Sequence, residues 1–297
     1  MTHGRAVSLM VLVTLLWSTA GVASRHLEAA QSFEVTFWRS AFNGLGLLVA
    51  LSLMRGAALW RGLVRAGWPV WVSGGCWAVM FTAFMLGLTL TRVANVLVTM
   101  ALGPLITALF ARFFLHHKLP ARTWIAIAVA GAGIAWMFGH EVQAADARSL
   151  LGMLVALAVP VAAALNFTVL QHISHGSSGE TPATQDMLPA VLVGALLSAA
   201  VTLPLAWPLH TSSHDLGILA GLGVLQLALP CLLVVRLTRE LPAPEIALLG
   251  LLEVIFGVLW AWLGAGEAPG PTALTGGMLV LGALIGNELL TLRNSRR

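Results

Sequence analysis

The sequence predicts an all-α integral membrane protein: ten transmembrane helices built as two inverted five-helix repeats. Three observations carry that prediction. The 297-residue chain is 58% apolar and only 9% charged, where soluble domains carry about 25% charged residues. Its charges stand between long uncharged stretches, and its basic residues gather on one side of those stretches.

Composition also excludes other classes. So few charges cannot cover a water-facing surface of this size. A disordered chain would be poor in apolar residues and rich in net charge. The net charge of +4 comes from basic residues scattered between apolar runs, so no nucleic-acid stripe forms. The two cysteines, Cys76 and Cys231, lie deep in apolar segments and make neither a disulfide framework nor a CxxC metal site.

The elements follow from the gaps. Uncharged runs of 19, 26, 19 and 18 residues lie between Arg5 and Arg25, Arg65 and Arg92, Arg92 and Arg112, and Arg122 and Glu141. Further runs of 31, 28, 20 and 20 residues follow Arg148, Asp186, Asp215 and Glu267. About 20 apolar residues cross the hydrocarbon core as a helix, and backbone in lipid must satisfy itself internally. The strict alternation of a membrane barrel is missing. The predicted spans are 6–24, 33–54, 68–90, 93–115, 121–138, 150–173, 186–207, 216–239, 244–264 and 271–292. The longest loops, of about a dozen residues, fall around 55–67 and 174–185. No soluble domain fits in them, so function must reside within the bundle. The run ending Ala20-Gly21-Val22-Ala23-Ser24 also resembles a cleavable signal peptide, but the repeat needs this segment as a helix.

Orientation follows from the basic residues. With the N-terminus cytoplasmic, twelve fall inside and three, Arg25, Arg92 and Arg148, outside. Both termini are therefore expected in the cytoplasm. A shift of about 150 residues sets Pro104 opposite Val254 and His117 opposite Glu267. It also sets Ala126 and Gly133 opposite Gly276 and Ala283. Residues 1–140 and 150–297 are thus read as two repeats. Five spans per repeat make the second enter from the opposite side, a common plan for secondary transporters with a midplane site.

The run Pro242-Ala243-Pro244-Glu245-Ile246-Ala247-Leu248-Leu249 continues through Leu252-Glu253-Val254 to Leu263-Gly264-Ala265-Gly266-Glu267. It resembles the ninth-helix signature of EamA-type transporters in the drug/metabolite transporter superfamily. Phe37-Trp38-Arg39-Ser40-Ala41-Phe42 resembles that family's arginine motif. The likeness spans 6–292 and departs at His116-His117, where the family often has glutamate, and at Val254, where it often has proline. Leu16-Trp17-Ser18-Thr19-Ala20-Gly21 and the Trp-rich third span are most similar to YddG-type bacterial exporters of aromatic amino acids. The resemblance implies a ten-helix basket in the bacterial inner membrane, whose central cavity is lined by spans 1, 3, 4, 6, 8 and 9.

Trp77, Met80, Phe81 and Phe84 share one face of the third span. Rings and thioethers pack well with rings, so this stripe suits planar side chains; it would equally serve helix packing. Trp17 is the aromatic residue of the first-span motif. Trp68 and Trp71 read as interface anchors. Pro104, Pro160 and Pro230 are expected to interrupt spans 4, 6 and 8, freeing carbonyls and supplying hinges.

Polar side chains at mid-depth are few: Ser18, Thr19, Thr99, Asn166, Thr168 and Gln226, with Asn95 nearer the outer end. They are candidates for a zwitterion's two ends, against the alternative of interhelical bonds worth about 0.6 kcal/mol. Charges within a membrane default to functional suspicion. Arg39 lies within two turns of the outer end of its span, placed to snorkel or to pair with Glu34. Glu288 is near the end of the last span. Only Glu253 is central, and no basic residue of the spans is expected at its depth. It is read as a hydrogen-bond post beside the cavity or as a proton-coupling group.

His172, His175, His210 and His214 fall at helix ends, and no metal site is expected. Gly282 and Gly286 are expected to mediate internal packing. No phosphate loop, nucleophile elbow or paired catalytic carboxylates occur, so neither a cofactor nor an enzymatic activity is expected. The expected partners are a small-molecule substrate and the lipid bilayer, with the chain a monomer or weak homodimer. The function expected is export of amino acids, preferentially aromatic ones, by alternating access. The alternatives are the same fold carrying another metabolite or drug, and, further off, a membrane enzyme or a channel. A polyamine exporter would want more than one buried acid, and a sugar-phosphate carrier buried Lys or Arg pairs.

Overall fold

A computed structural model of the chain describes residues 1–24, 26–30, 32–91, 93–116, 119–142, 146–176, 186–265 and 270–295. Among these residues the regular structure is all helical. In the first repeat the helices are α1 (His3–Trp17), α2 (Thr19–Ser24), α3 (Ser32–Arg55), α4 (Ala57–Val64), α5 (Trp68–Leu90), α6 (Val93–Met100), α7 (Gly103–Phe114) and α8 (Ala121–Val142). The second holds α9 (Ala147–Gly176), α10 (Leu188–Ala206) and α11 (Ser213–Gly221). A π-turn (Leu222–Ala228) then leads into α12 (Leu229–Leu237), α13 (Ala243–Gly250), α14 (Leu252–Ala265) and α15 (Pro271–Ser295).

Among the described residues, seven stretches are long and apolar enough to cross a membrane: His3–Ala23, Phe33–Arg55, Trp68–Leu90, Ala147–Ile173, Leu188–Ala206, Ser213–Leu237 and Ala243–Trp260. Gly103–Phe114, Ala121–Met137 and Leu274–Asn287 are apolar but shorter. One expected loop is a helix: α4 occupies 57–64, with Leu59 buried and Trp60 and Val64 exposed. Its apolar residues at i, i+4 give it one face to bury. Of the other expected loop, Ser174–Gly176 close α9, and 177–185 lie outside the described residues.

Several spans are broken, and not always where proline predicts. The first breaks at Ser18, where Ser18 and Thr19 turn their hydroxyls onto the carbonyls of Leu15 and Leu16, each at 2.7 Å. Such back-bonding competes with the helix ladder. Pro104 is the second residue of α7; it has no N–H for the carbonyl of Met100, where α6 ends. The matching break in the second repeat, at Leu251 between α13 and α14, occurs without proline. There Leu251 N–H reaches the Leu248 carbonyl at 3.1 Å in a tighter turn.

Pro230 does not break its span but widens it. Its missing N–H would have served the Gln226 carbonyl, and the chain responds with the π-turn, in which Leu229 N–H reaches Val224 O five residues back. Pro160 is a correction to the expected interruption: α9 runs through it without a break. Neighbouring helices support proline inside membrane helices, and α9 is packed against α5 and α7.

Contacts place the spans relative to one another. Ser73 meets Asn166, and Gly87 meets Ala156, so α5 and α9 run antiparallel. Ser40 meets Ser198, and Gly44 meets Leu196, so α3 and α10 are antiparallel too. Thr123 meets Asn287, and Gly133 meets Gly276, giving the same sense to α8 and α15. Of these three pairs the last is the closest. A Cβ on Gly276 would lie 2.5 Å from the Gly133 carbonyl oxygen, and one on Gly133 would lie 2.8 Å from that of Gly276. The expected internal contact through Gly282 and Gly286 is corrected, since a Cβ at either meets nothing within 4 Å. The first span packs on α12, α13 and α14.

Candidate functional site

The helices enclose a cavity with about 1080 Å³ of empty space, its open mouth included. The cavity's walls come from the first, third, fourth, sixth, eighth and ninth spans, with one residue, Arg39, from the second.

All four residues of the third-span stripe face it: Trp77, Met80, Phe81 and Phe84. The rings of Trp77 and Phe81 have centroids 5.6 Å apart and planes tilted by 31°, a favourable aromatic arrangement. Trp77 is buried, and its indole N–H has no hydrogen-bond partner among the described residues, like the hydroxyl of cavity-lining Thr107. Trp17, Met10, Met100 and Phe167 extend the apolar wall. The stripe forms one face because its residues recur at helical spacing, and α5 is held in place by α9 and α10 on either side.

The polar part is small. Arg39, Gln226 and Glu253 line the same cavity. Arg39 is buried and donates from Nε and Nη2 to Gln226 Oε1 at 3.3 and 3.0 Å. Gln226 donates from Nε2 to the carbonyl of Trp17 at 3.0 Å. Arg39 and Glu253 lie within electrostatic range of each other. This corrects two expectations. Arg39 turns inward rather than snorkelling, and Glu253 has a basic residue facing it. Glu34, the other proposed partner of Arg39, instead accepts the backbone N–H groups of His210 and Thr211, each at 2.7 Å. Glu253 lies in the first turn of α14, so the Leu251 break supplies it with a helix N-terminus, where an acidic group is favoured.

Gly223, in the π-turn, brings α3 close enough for these contacts. A Cβ there would stand 2.8 Å from the Arg39 carbonyl oxygen and 2.6 Å from Phe42 Cβ. The widened turn and this glycine together set Gln226 against Arg39. No sequence periodicity reports a π-turn, which hid this pairing.

The hydroxyl and amide candidates Ser18, Thr99 and Asn166 bond to other helix groups. Ser18 accepts from Trp260 Nε1 at 2.9 Å and does not line the cavity. Thr99 donates to the Asn95 carbonyl one turn back at 2.8 Å. Asn166 accepts from Ser73 at 2.6 Å, between α5 and α9. Pro104 and Pro160 line the cavity, whereas Pro230 acts from behind it through the π-turn. The side chain of Glu288 lies outside the described residues.

Known proteins agree with this architecture. The model of the EamA-like transporter family matches residues 4–139 and 150–287. A solved crystal structure, described simply as that of a protein, resembles the fold over 98% of this chain and 99% of its own, with a TM-score of 0.77 at 20% identity. No curated protein matches the chain. Two family segments covering nearly the whole sequence, folded around one shared cavity, place the chain in the EamA-like transporter family, membrane transporters of the drug/metabolite transporter superfamily.

Proposed function

We propose that the chain is a secondary transporter that exports amino acids, preferentially aromatic ones, across the bacterial inner membrane by alternating access. The observation that carries this is the make-up of the cavity: a wall of Trp77, Met80, Phe81 and Phe84 facing, among the described residues, one cation, Arg39, and one acid, Glu253. One charge of each sign suits a zwitterion, and the ring wall suits a planar side chain. A polycation would find a single acid, and a sugar phosphate a single arginine.

The pairing of helices supports the inverted repeat. Under a shift of one repeat, the α5–α9 contact matches that of α1 with α12, and the α7–α9 contact matches that of α1 with α13. The antiparallel pairs α3–α10 and α8–α15 join corresponding spans of the two repeats, as opposite insertion requires. Breaks at Ala101–Leu102 and at Leu251 recur 150 residues apart. These breaks and the Pro104, Pro160 and Pro230 sites are where the two halves would bend as they rock. Ten passes with both termini cytoplasmic accord with the basic-residue bias, and a monomer or weak homodimer suffices for the cavity.

The test is a substrate panel in proteoliposomes. Saturable uptake with counterflow, strongest for tryptophan and phenylalanine, is expected. Flux without saturation or counterflow would make the protein a channel, and preference for a non-amino-acid solute would remove the substrate assignment. Reporter fusions after residues 30 and 145 should read periplasmic, and those after 60 and 297 cytoplasmic.

A further inference from the structure

Arg39 and Gln226 close a chain of hydrogen bonds that ends on a helix break. Arg39 is 5% exposed, and its guanidinium keeps its charge in a protein interior. Its Nε and Nη2 converge on one oxygen, Gln226 Oε1. The same amide donates to the carbonyl of Trp17 at 3.0 Å. The orientation of the amide is forced, because a guanidinium has only donors and a main-chain carbonyl only accepts. Trp17 is the last residue of α1, and Ser18, the next, receives Trp260 from α14. The junction of α1 and α2 is thus tied to the π-turn on one side and to α14 on the other.

Two features make the link to Gln226 replaceable. The hydrogen bonds of Arg39 are answered by a neutral amide, and its Nη1 has no hydrogen-bond partner among the described residues. An ionised carboxylate binds guanidinium through two parallel bonds and more strongly than an amide does. Gln226 also stands on a π-turn, a widened helix turn that recurs at functional sites.

We infer that Arg39 receives the carboxylate of the transported amino acid and that Gln226 is its internal place-holder. The arriving carboxylate displaces the amide oxygen. The freed Gln226 releases the Trp17 carbonyl, and the junction of α1 and α2 loosens. Substrate binding is thereby linked to the movement of the first span. The ammonium group then faces Glu253, and the side chain faces Trp77 and Phe81. This rests on the reading of the cavity as an amino-acid transport path. Gln226 is a positioning residue in this scheme, acting through Arg39.

The test uses the full chain in detergent. Radiolabelled L-tryptophan is competed with tryptamine, which lacks the carboxylate, and L-leucine with isoamylamine. Hydrogen exchange of backbone 15–22 is followed alongside. In the wild type, tryptophan should bind about tenfold to a hundredfold more tightly than tryptamine, the worth of a charged hydrogen bond. Arg39→Met should erase that preference. Gln226→Leu removes the competitor, so it should bind tryptophan several-fold more tightly and widen the ratio of tryptophan to tryptamine affinity. Its 15–22 segment should exchange without ligand as fast as the wild type does with saturating tryptophan.

Equal competition by tryptophan and tryptamine in the wild type overturns the inference, as does unchanged exchange in Gln226→Leu. If Arg39→Met does not fold, the wild-type ligand pairs and Gln226→Leu still decide. An Arg39-dependent preference for leucine over isoamylamine, with tryptophan not bound, would leave the inference standing and remove the aromatic preference. Tryptophan transport without carboxylate discrimination would do the reverse. Binding of no carboxylate-bearing ligand would end both.

Discussion

Glu34 and Asp215 hold the chain segments that lead into each other's helices. Glu34, in the first turn of α3, accepts the backbone N–H groups of His210 and Thr211 and the Thr211 hydroxyl, just before α11. Asp215, in the first turn of α11, accepts the N–H groups of Glu28, Ala29 and Ala30 at 2.9–3.0 Å, just before α3. Each acid also sits where a helix N-terminus favours negative charge. The two spans that bring Arg39 and Gln226 together are thus tied at one end by a reciprocal clasp.

Asp215→Ala should open that clasp. It leaves three N–H groups without their acceptor, at a cost of about 2–4 kcal/mol. A lower thermal midpoint in detergent and faster proteolysis between residues 24 and 34 are expected. Unchanged midpoint and digestion would mean that the segment is held by other contacts.

Trp77→Ala and Phe81→Ala should weaken transport of aromatic amino acids more than of small ones. Ring contacts contribute about 0.5–1.5 kcal/mol, so a threefold to tenfold loss is expected in apparent affinity for tryptophan, with alanine nearly unaffected. Equal losses for every solute, with poor expression, would assign the stripe to packing alone.

Glu253→Gln keeps the shape of the side chain and an acceptor oxygen but cannot exchange a proton. Counterflow is expected to survive with wild-type pH dependence, and affinity for amino acids to fall by up to about tenfold as a charged contact becomes neutral. If counterflow survives while accumulation driven by a pH gradient disappears, Glu253 is the coupling group instead. Thermal stability near that of the wild type would show that the helix start at Leu252 is intact.

Gly276→Leu should destabilise the α8–α15 pair, whereas Gly282→Leu should not. Leucine at 276 must displace the Gly133 backbone, and overpacking of this kind costs about 1–3 kcal/mol. Residue 282 faces open space, so a change within about 0.5 kcal/mol is expected there. Comparable losses at both positions, read from detergent melting curves, would contradict the contact geometry.

What could be read from the sequence was whatever depends on one-dimensional spacing. The uncharged runs set the membrane-crossing stretches, because lipid penalises charge wherever the chain goes next. The spacing of Trp77, Met80, Phe81 and Phe84 placed them together, because a helix has one period. The fate of Arg39 was hidden, since a long side chain within two turns of a span's end can run outward or inward, and only the approach permitted by Gly223 decides. The bonds of Ser18 and Thr99 were hidden for the opposite reason: a short hydroxyl reaches its own helix's carbonyls, which spacing does not report. Pro160 and Pro230 show that proline removes a bond without dictating the response. One helix continues through it and the other widens, while Leu251 breaks with no proline at all. In α4, an eight-residue apolar rhythm was too short to separate from a loop.

The sparse polarity of the cavity has a consequence for hydration. Of the described side chains facing it, only Arg39, Thr107, Gln226 and Glu253 end in charged, amide or hydroxyl groups. A solute that enters must shed most of its water and finds few groups to replace it. Its two ionic ends cost every amino acid the same dehydration, so the side chain makes the difference. Each square ångström of apolar surface withdrawn from water returns about 25 cal/mol; a benzyl or indolylmethyl group supplies much of it, and the side chains of glycine and serine almost none. Oil–water partitioning of the side chain should therefore rank the solutes, even among those that touch none of the rings directly.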